Sequence, residues 1–209
     1  MRGLVAGPGT RHCRGMAAPE ILLARHGETE WSAAARHTGV TDIPLTDEGR
    51  TQARLLGERL HGRAFTRVLS SPYQRALETC HIAGLEERAE IRPDLVEWDY
   101  GDYEGLTTDK IRETVPGWTL WSHPTPGGES AAQVGSRMDG LVEDLDPLEG
   151  DAVLFAHGHV LRVLAARWIG LEADQGARLA LSTGTLSSLG WERDRRVVRL
   201  WNDGSHLES

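Results

Sequence analysis

Short apolar runs alternate with amphipathic stretches along the chain from Glu20 onward. The runs at 21–24, 67–71 and 151–156 centre on aliphatic residues, which is typical of buried strands in a parallel sheet. The stretches between them place apolar residues three or four positions apart, which is the helical period. This alternation predicts an α/β fold, a three-layer sandwich with a mostly parallel central sheet flanked by helices.

Residue types at the ends of the amphipathic stretches indicate where the helices begin and end. Thr46 is a hydroxyl cap before one helix, and Pro72 begins a second that runs to about Ala83. A third helix is predicted from Glu129 to about Leu145, and a fourth ends at Ile169. Near the C terminus, stretches 183–191 and 197–201 alternate apolar with polar residues, which predicts an antiparallel edge pair.

The same pattern predicts how the chain is divided. Residues 1–19 lack any period and are expected to be a flexible extension, with Met16 as an alternative start. Residues 20–209 are expected to form one domain. Within it, residues 93–128 carry four prolines and a glycine pair, so they are expected to be an irregular excursion over the active site with one short helix near 107–114.

Composition excludes several classes of protein. Among 209 residues, 31 acids against 23 lysines and arginines give a net charge of −8, which provides no attraction to nucleic acid or anionic lipid. No apolar stretch is long enough to cross a bilayer, and no secretory signal is evident. Cys13 and Cys80 are expected to be free thiols, so the predicted location is the cytoplasm, without membrane or nucleic-acid partners.

Reactive or cationic residues come directly after three of the predicted strands. Arg25-His26 follows the first, Ser70-Ser71 with Arg75 follows the second, and His157-Gly158-His159 follows the third. The carboxyl ends of parallel strands meet at one edge of a sheet, where ligands bind. A guanidinium fits phosphate oxygens and a neutral imidazole is a nucleophile, so this edge is a candidate phosphate site. On the residues alone, Arg75 could equally form a surface ion pair with Glu78.

These motifs resemble those of the histidine phosphatase superfamily, also called the phosphoglycerate mutase-like family. The resemblance covers about residues 20–201 and is carried, in order, by Arg25-His26-Gly27-Glu28-Thr29, Asp42-Ile43-Pro44-Leu45-Thr46, Ser70-Ser71-Pro72 with Arg75, Glu97 with Gly101 and Glu104-Gly105, Gly128-Glu129-Ser130 and His157-Gly158.

The resemblance implies a two-step phosphoryl transfer that needs neither metal nor cofactor. His26 would be the nucleophile and carry a phosphohistidine. Arg25, Arg75 and His157 would hold the phosphoryl oxygens. Glu97 would protonate the leaving group and then deprotonate water, and its apolar neighbours are expected to favour the acid form of the carboxyl.

Weaker correspondences concern substrate binding. Thr38, Gly39, Tyr100 and Gly158 match family positions that contact substrate. Two positions depart from the pattern: Ser32 stands where the family usually has asparagine, and His159 stands where the mutases have asparagine. His159 is therefore either a substrate contact or a solvent-facing residue. Trp98, Trp118 and Trp121 either cover the pocket or hold the excursion together.

Among the family's activities, the residues favour a phosphatase that acts on a small phosphorylated metabolite. Cofactor-dependent mutases carry Arg-His where this chain has Trp98-Asp99, and an acid there disfavours a multiply anionic ligand. The segment resembles those of acid phosphatases and sugar-bisphosphatases. A phosphoglycerate mutase, a metallohydrolase and a non-catalytic phosphate-binding protein remain as alternatives. The apolar alternation near the C terminus also suits a homodimer.

Overall fold

A six-stranded sheet lies at the centre of this computed structural model, which describes residues 19–208. The strand order is β3-β2-β4-β1-β5-β6. The first four strands in that order run parallel, whereas β5 is antiparallel to both β1 and β6. The strands are β1 (Ile21–Arg25), β2 (Arg67–Ser70), β3 (Ala89–Ile91), β4 (Ala152–Ala156), β5 (Leu186–Glu192) and β6 (Arg195–Asp203). The expected mostly parallel sheet is confirmed.

Helices cover both faces of the sheet, as the three-layer prediction requires. The α-helices are α1 (Glu30–Ala33), α2 (Asp47–Leu60), α3 (Gln74–Ile82), α4 (Thr108–Arg112), α5 (Ala131–Leu145) and α6 (Gly158–Trp168). Single turns of 3₁₀ helix lie at Glu86–Arg88, Pro93–Leu95, Gly101–Tyr103 and Ser205–Leu207, with a longer one at Ala173–Arg178. No helix within residues 19–208 combines the length and apolarity needed to span a membrane.

Alternate side chains of each strand enter two separate cores, because successive side chains in a strand point to opposite faces. In β1, Leu22 and Ala24 pack with residues of α2 and α3. Ile21 and Leu23 pack with residues of α5 and α6 on the other face. Both β1 and β4 are buried on both faces, which explains why their sequences read as continuous apolar runs.

Most helix predictions agree with the structure to within two residues. Thr46 caps α2 by accepting a hydrogen bond from the Gly49 N–H at 3.0 Å. Helix α3 begins at Gln74 rather than at Pro72, because Tyr73 is the extended cap residue. The predicted extension and Cys13 lie outside the described residues, apart from Pro19. The irregular 93–128 excursion contains α4 where one short helix was expected.

Strand register brings the candidate residues to one edge of the sheet. Arg25 at the end of β1 pairs with Ala156 at the end of β4, and Ser70 at the end of β2 pairs with Phe155. The three residues that follow these strands are His26, His157 and Ser71. They are neighbours because β2, β4 and β1 are adjacent in the sheet.

Candidate functional site

His26 lies at the centre of this edge with one ring nitrogen committed to the backbone. Its main chain is fixed by hydrogen bonds to Ala156 and Gly184, and its side chain is almost fully buried. Nδ1 lies 2.7 Å from the carbonyl oxygen of Gly27. A carbonyl only accepts hydrogen bonds, so Nδ1 carries the proton and the neutral ring keeps a lone pair on Nε2. His26 therefore presents a nucleophilic nitrogen.

The surroundings of His26 keep its ring neutral. Burial lowers its pKa well below the usual value of 6.5, and the positive charges of Arg75 and Arg25 lower it further. The ring of His157 lies 5.2 Å away between centroids. Burial and the same arginine charges also lower the pKa of His157 well below 6.5. Both imidazoles are consequently neutral at neutral and mildly acidic pH.

Arg75 is fully buried, and its guanidinium is held by main-chain oxygens. Its Nε donates to Nδ1 of His157 at 3.0 Å. Its Nη groups donate to three carbonyl oxygens of the 38–41 loop: Thr38 at 3.2 Å, Gly39 at 3.0 Å and Thr41 at 3.0 Å. These bonds fix the guanidinium beside the two histidines and leave one Nη1–H unused.

Arg75 does not form the surface ion pair that its sequence context allowed. Glu78 instead bonds to Arg50 at 2.7 Å. The carboxylate nearest to the Arg75 guanidinium among the described residues belongs to Asp42, with 4.0 Å between Nη1 and Oδ1. A buried guanidinium without a bonded carboxylate is costly, and such groups are usually balanced by a bound anion.

The hydrogen bond from Arg75 fixes the tautomer of His157, and His157 in turn donates a hydrogen bond to Ser71. Because Nδ1 accepts from Arg75, the proton of the neutral ring is on Nε2. Nε2 lies 2.7 Å from the Ser71 hydroxyl oxygen and donates to it. The histidine therefore presents an N–H group on that side, which is the role that binding phosphoryl oxygens would require.

Arg25 supplies a second, partly buried guanidinium. It donates to the carbonyl oxygen of Leu181, while its Nε is buried and has no hydrogen-bond partner among residues 19–208. Gly158 makes this position possible, because a Cβ there would lie 3.2 Å from the Arg25 Cζ. Burial lowers the pKa of Arg25 and of Arg75. Two guanidiniums with no bonded carboxylate in the described part of the chain form a site for a multiply charged anion.

Glu97 contacts backbone N–H groups rather than the apolar surroundings that its sequence neighbours suggested. Its Oε1 accepts from the N–H groups of Trp98 and Val160, each at 2.9 Å, and its Oε2 accepts from His159 N–H at 2.9 Å. The last two belong to the first turn of α6, where helices bind carboxylates. Oε1 has both lone pairs engaged, whereas Oε2 keeps one free. Oε2 is thus the oxygen able to carry a proton.

His159 and Tyr100 form a pair beside Glu97. The Tyr100 hydroxyl lies 2.6 Å from Nδ1 of His159, and that Nδ1 is 3.8 Å from Oε2 of Glu97. Burial raises the pKa of Tyr100 well above 10 and lowers that of His159 well below 6.5. The hydroxyl therefore keeps its proton and donates a hydrogen bond to Nδ1 of the imidazole. Tyr100 is only 1% exposed, so it acts on the pocket chiefly through His159.

The 38–41 loop, which holds Arg75, is itself held by Glu104. Oε1 of that carboxylate accepts from the N–H groups of Gly39 and Thr41 at 2.9 and 3.0 Å. Gly39 has no substitute here, because a Cβ would lie 2.6 Å from the carbonyl oxygen of Trp98 and 2.7 Å from Oε2 of Glu104. The Thr38-Gly39 pair thus serves the site through its carbonyl oxygens.

Ser32 has a local structural role. Its hydroxyl accepts from the Thr29 N–H at 2.8 Å and donates to the Thr29 carbonyl oxygen at 3.0 Å, within the capping box of α1. The expected phosphate contact would have to displace the bond that the hydroxyl donates to the Thr29 carbonyl oxygen, because the hydroxyl has one proton to donate.

Sequence reasoning did not assign roles to Ser71, Glu104 or His37, which contact site residues, or to Arg162, which packs on Trp121. Ser71 and Glu104 lie within the quoted motifs, so their motif position was an available signal. Trp98 and Trp118 are buried and hold the excursion together, whereas Trp121 is partly exposed beside His159 at 5.5 Å between centroids. Trp121 also packs edge-on against Trp98, at 5.6 Å between centroids, so the structural alternative is supported for all three tryptophans.

The buried histidines predict that stability falls on mild acidification. Burial lowers the pKa of His37 to about 4, and His26, His157 and His159 are also lowered. In the unfolded chain they bind protons below about 6.5 while the native state does not, so the free energy of unfolding decreases as the pH falls. His37 alone should contribute a loss of about 2 kcal/mol at pH 5.

Urea unfolding at pH 7, 6 and 5 measures this effect. Replacing His37 with glutamine should remove part of the slope between pH 6.5 and 5 while leaving the protein folded at pH 7. The window stops at pH 5 because carboxylates begin to titrate below it. An unchanged slope in His37→Gln would contradict the assignment.

The family model and the similar proteins agree with one another. The model of the histidine phosphatase superfamily (branch 1) matches residues 21–204. An acid phosphatase of Mycobacterium tuberculosis is 45% identical over 182 residues, covering 85% of this chain and 89% of the relative. A sedoheptulose 1,7-bisphosphatase of Saccharomyces cerevisiae is 36% identical over 185 residues, covering 73% of this chain and 68% of the relative.

A solved structure of an open reading frame from Mycobacterium tuberculosis has the same fold. It superimposes with a TM-score of 0.83 at 42% sequence identity, covering 88% of this chain and 97% of that chain. The fold of that protein therefore agrees with the fold of this chain.

Proposed function

We propose, since this chain belongs to the histidine phosphatase superfamily (branch 1), that it hydrolyses small phosphate monoesters through a phosphohistidine on His26. The acid phosphatase and bisphosphatase relatives support hydrolysis. The observation that carries the proposal is the free Nε2 lone pair of His26 beside the guanidiniums of Arg75 and Arg25, which have no bonded carboxylate in residues 19–208. That arrangement suits a phosphate dianion.

In the first step, Nε2 of His26 attacks phosphorus and the ester P–O bond breaks. The pair of electrons from that bond goes to the leaving oxygen, and Oε2 of Glu97 gives this oxygen its proton. Arg25 and Arg75 stabilise the negative charge on the three equatorial oxygens, and the Nε2–H of His157 does so once it turns from the Ser71 hydroxyl to a phosphoryl oxygen. The products are the alcohol and a phosphohistidine.

In the second step, a water molecule attacks the phosphoryl group from the side that the alcohol has left. Glu97, now ionised, takes one proton from that water, and the P–N bond breaks. Inorganic phosphate leaves, and His26 recovers its lone pair. The three N–H bonds that Glu97 accepts hold its carboxyl in place for both transfers.

Hydrolysis fits this pocket better than mutase chemistry. The Trp98 side chain is fully buried with its Nε1 bonded to the Glu129 carbonyl oxygen, and Asp99 accepts from Gly101 N–H. These two residues occupy the positions where the cofactor-dependent mutases carry Arg-His. Both side chains are thus engaged in the local structure of the excursion, and neither is a cation for a second substrate anion.

Activity is expected to be independent of metal. Arg25 and Arg75 already supply positive charge, and within residues 19–208 no three His, Cys, Asp or Glu side chains are grouped as a metal site. The purified chain should release inorganic phosphate from p-nitrophenyl phosphate equally with and without excess EDTA. Vanadate, which mimics trigonal-bipyramidal phosphorus, should inhibit it. Absence of phosphate release would exclude the hydrolase, and loss on chelation with recovery on adding zinc or magnesium would exclude metal independence.

A further inference from the structure

Four partly exposed side chains form a group beside Glu97, and none of them has a role in the proposed hydrolysis. We call them the outer wall: His37, His159, Trp121 and Arg162. Nδ1 of His159 lies 3.8 Å from Glu97 Oε2. Ring centroids are 6.1 Å apart for His37 and His159 and 5.5 Å apart for Trp121 and His159. The Arg162 Cζ lies 4.5 Å from the Trp121 ring centroid.

Arg162 is held in this wall without an acid partner in the part of the chain that the structure describes. Its Nε and Nη2 donate to the carbonyl oxygens of Gly176 and Ala177 at 3.1 and 3.2 Å. Its Nη1 makes no hydrogen bond within residues 19–208 and is not buried. By contrast Arg167, five residues further along α6, pairs with Asp139 at 2.7 Å. Arg162 thus has a fixed guanidinium with one end open.

Packing around Trp121 fixes the position of that guanidinium. Gly176 leaves room for the indole, because a Cβ at Gly176 would lie 2.8 Å from Trp121 Cζ3. Stacking on an indole face favours a guanidinium and restricts its movement. Burial lowers the pKa of Arg162, and the negative charge of Glu97 opposes that effect. The cation is therefore positioned by its neighbours rather than left free in solvent, and Glu97 offsets part of its desolvation.

The wall's positive charge belongs to Arg162 alone. Burial lowers the pKa of His37 to about 4 and that of His159 well below 6.5, so both imidazoles are neutral near neutral pH. Since Nδ1 of His159 accepts from Tyr100, its proton is on Nε2 and is available as a donor. The wall therefore offers one charge, the Nε2–H of His159 and an aromatic surface.

We propose that the outer wall binds the alcohol portion of the substrate and that Arg162 binds a second anionic group on it, a carboxylate or a phosphate. This inference rests on the proposed hydrolysis, in which the leaving oxygen must lie next to Oε2 of Glu97. The rest of the alcohol then extends along the side chains beside Glu97. His159 and Arg162 are three residues apart on α6, hence one helical turn apart on the same face. The preferred substrates are short phosphate esters with a second negative charge.

The test uses two alkyl phosphates of equal length, one ending in a carboxylate and the other in the corresponding primary amide. The wild-type protein should have the higher kcat/KM for the carboxylate. Arg162→Gln keeps donors for the Gly176 and Ala177 carbonyl oxygens but removes the charge. It should lower kcat/KM for the carboxylate ester about ten- to a hundredfold and change the amide ester by less than about threefold.

Two further variants complete the design. Arg178→Gln alters an exposed arginine on the Ala173–Arg178 turn and should leave both esters unchanged. Arg162→Lys should recover part of the preference, since it restores the charge but not the planar fork. Thermal unfolding and turnover of p-nitrophenyl phosphate check that each variant is folded.

The outcomes separate this inference from the proposed function. Turnover of both esters with equal losses in Arg162→Gln, or without any wild-type preference, would overturn the role of Arg162 and leave the hydrolase intact. Absence of turnover of either ester and of p-nitrophenyl phosphate would instead overturn the hydrolase.

Discussion

Replacing His26 with alanine is expected to abolish turnover, with a loss in kcat of about 10⁴-fold or more. The variant lacks Nε2, the atom that would form the bond to phosphorus. The wild-type Nε2 is free to react because Nδ1 is bonded to the Gly27 carbonyl oxygen. Steady-state release of inorganic phosphate measures the loss, and trapping with radioactive substrate followed by acid lability measures the phosphohistidine.

Two control variants make this prediction specific. Arg25→Ala should leave a trace of turnover and of labelled protein, because it removes stabilising charge but not the nucleophile. His159→Ala removes an imidazole from the same pocket and should keep the label. An acid-labile phosphohistidine that survives in His26→Ala would show that another histidine is the nucleophile.

Replacing Glu97 with glutamine is expected to separate alkyl from aryl esters. An alkoxide is a poor leaving group and needs a proton, so alkyl phosphates should lose about 10²- to 10⁴-fold in kcat/KM, which reports the first step alone. A nitrophenolate leaves without protonation, so kcat/KM for p-nitrophenyl phosphate should fall less than about tenfold. The ratio of the two kcat/KM values in the same variant is the measurement, because the second step, in which Glu97 is the base, is common to both esters.

The aryl ester also controls for folding in that variant. In Glu97→Gln, the amide oxygen can still accept from Trp98 and Val160 N–H, whereas the amide nitrogen faces the His159 N–H group. This donor-to-donor contact is expected to lower stability, which thermal unfolding will report. Equal losses for alkyl and aryl esters would mean that Glu97 is not the proton donor.

The central residues were predictable because strand periodicity and topology act together. Apolar runs ending at Arg25, Ser70 and Ala156 predicted parallel strands, and carboxyl ends of adjacent parallel strands meet at one edge. His26 and His157 follow from that rule alone. The position of Arg75 against His157 does not follow from that rule, since it depends on how α3 packs and on the 38–41 loop.

Other features of the fold and the site leave too weak a pattern in the sequence to be predicted. Strand β3 has three residues and α1 has four, which is too short for a period of two or 3.6 to be recognised. The bonds of Glu104 join residues about 65 positions apart across an irregular segment, so no local pattern predicts them. For Ser32 the motif position suggested a phosphate contact. A hydroxyl next to a helix start can instead form hydrogen bonds with the nearby backbone, as Ser32 does here.

The way in which Arg75 is held affects how this pocket can evolve. Its Nη groups bond to carbonyl oxygens at positions 38, 39 and 41, and every amino acid has a carbonyl oxygen. Side chains at 38, 40 and 41 can therefore change without removing an acceptor, provided that Gly39 is kept. Val40, which is 52% exposed, is one such position. New side chains can therefore be introduced into this loop while the Arg75 guanidinium keeps its acceptors.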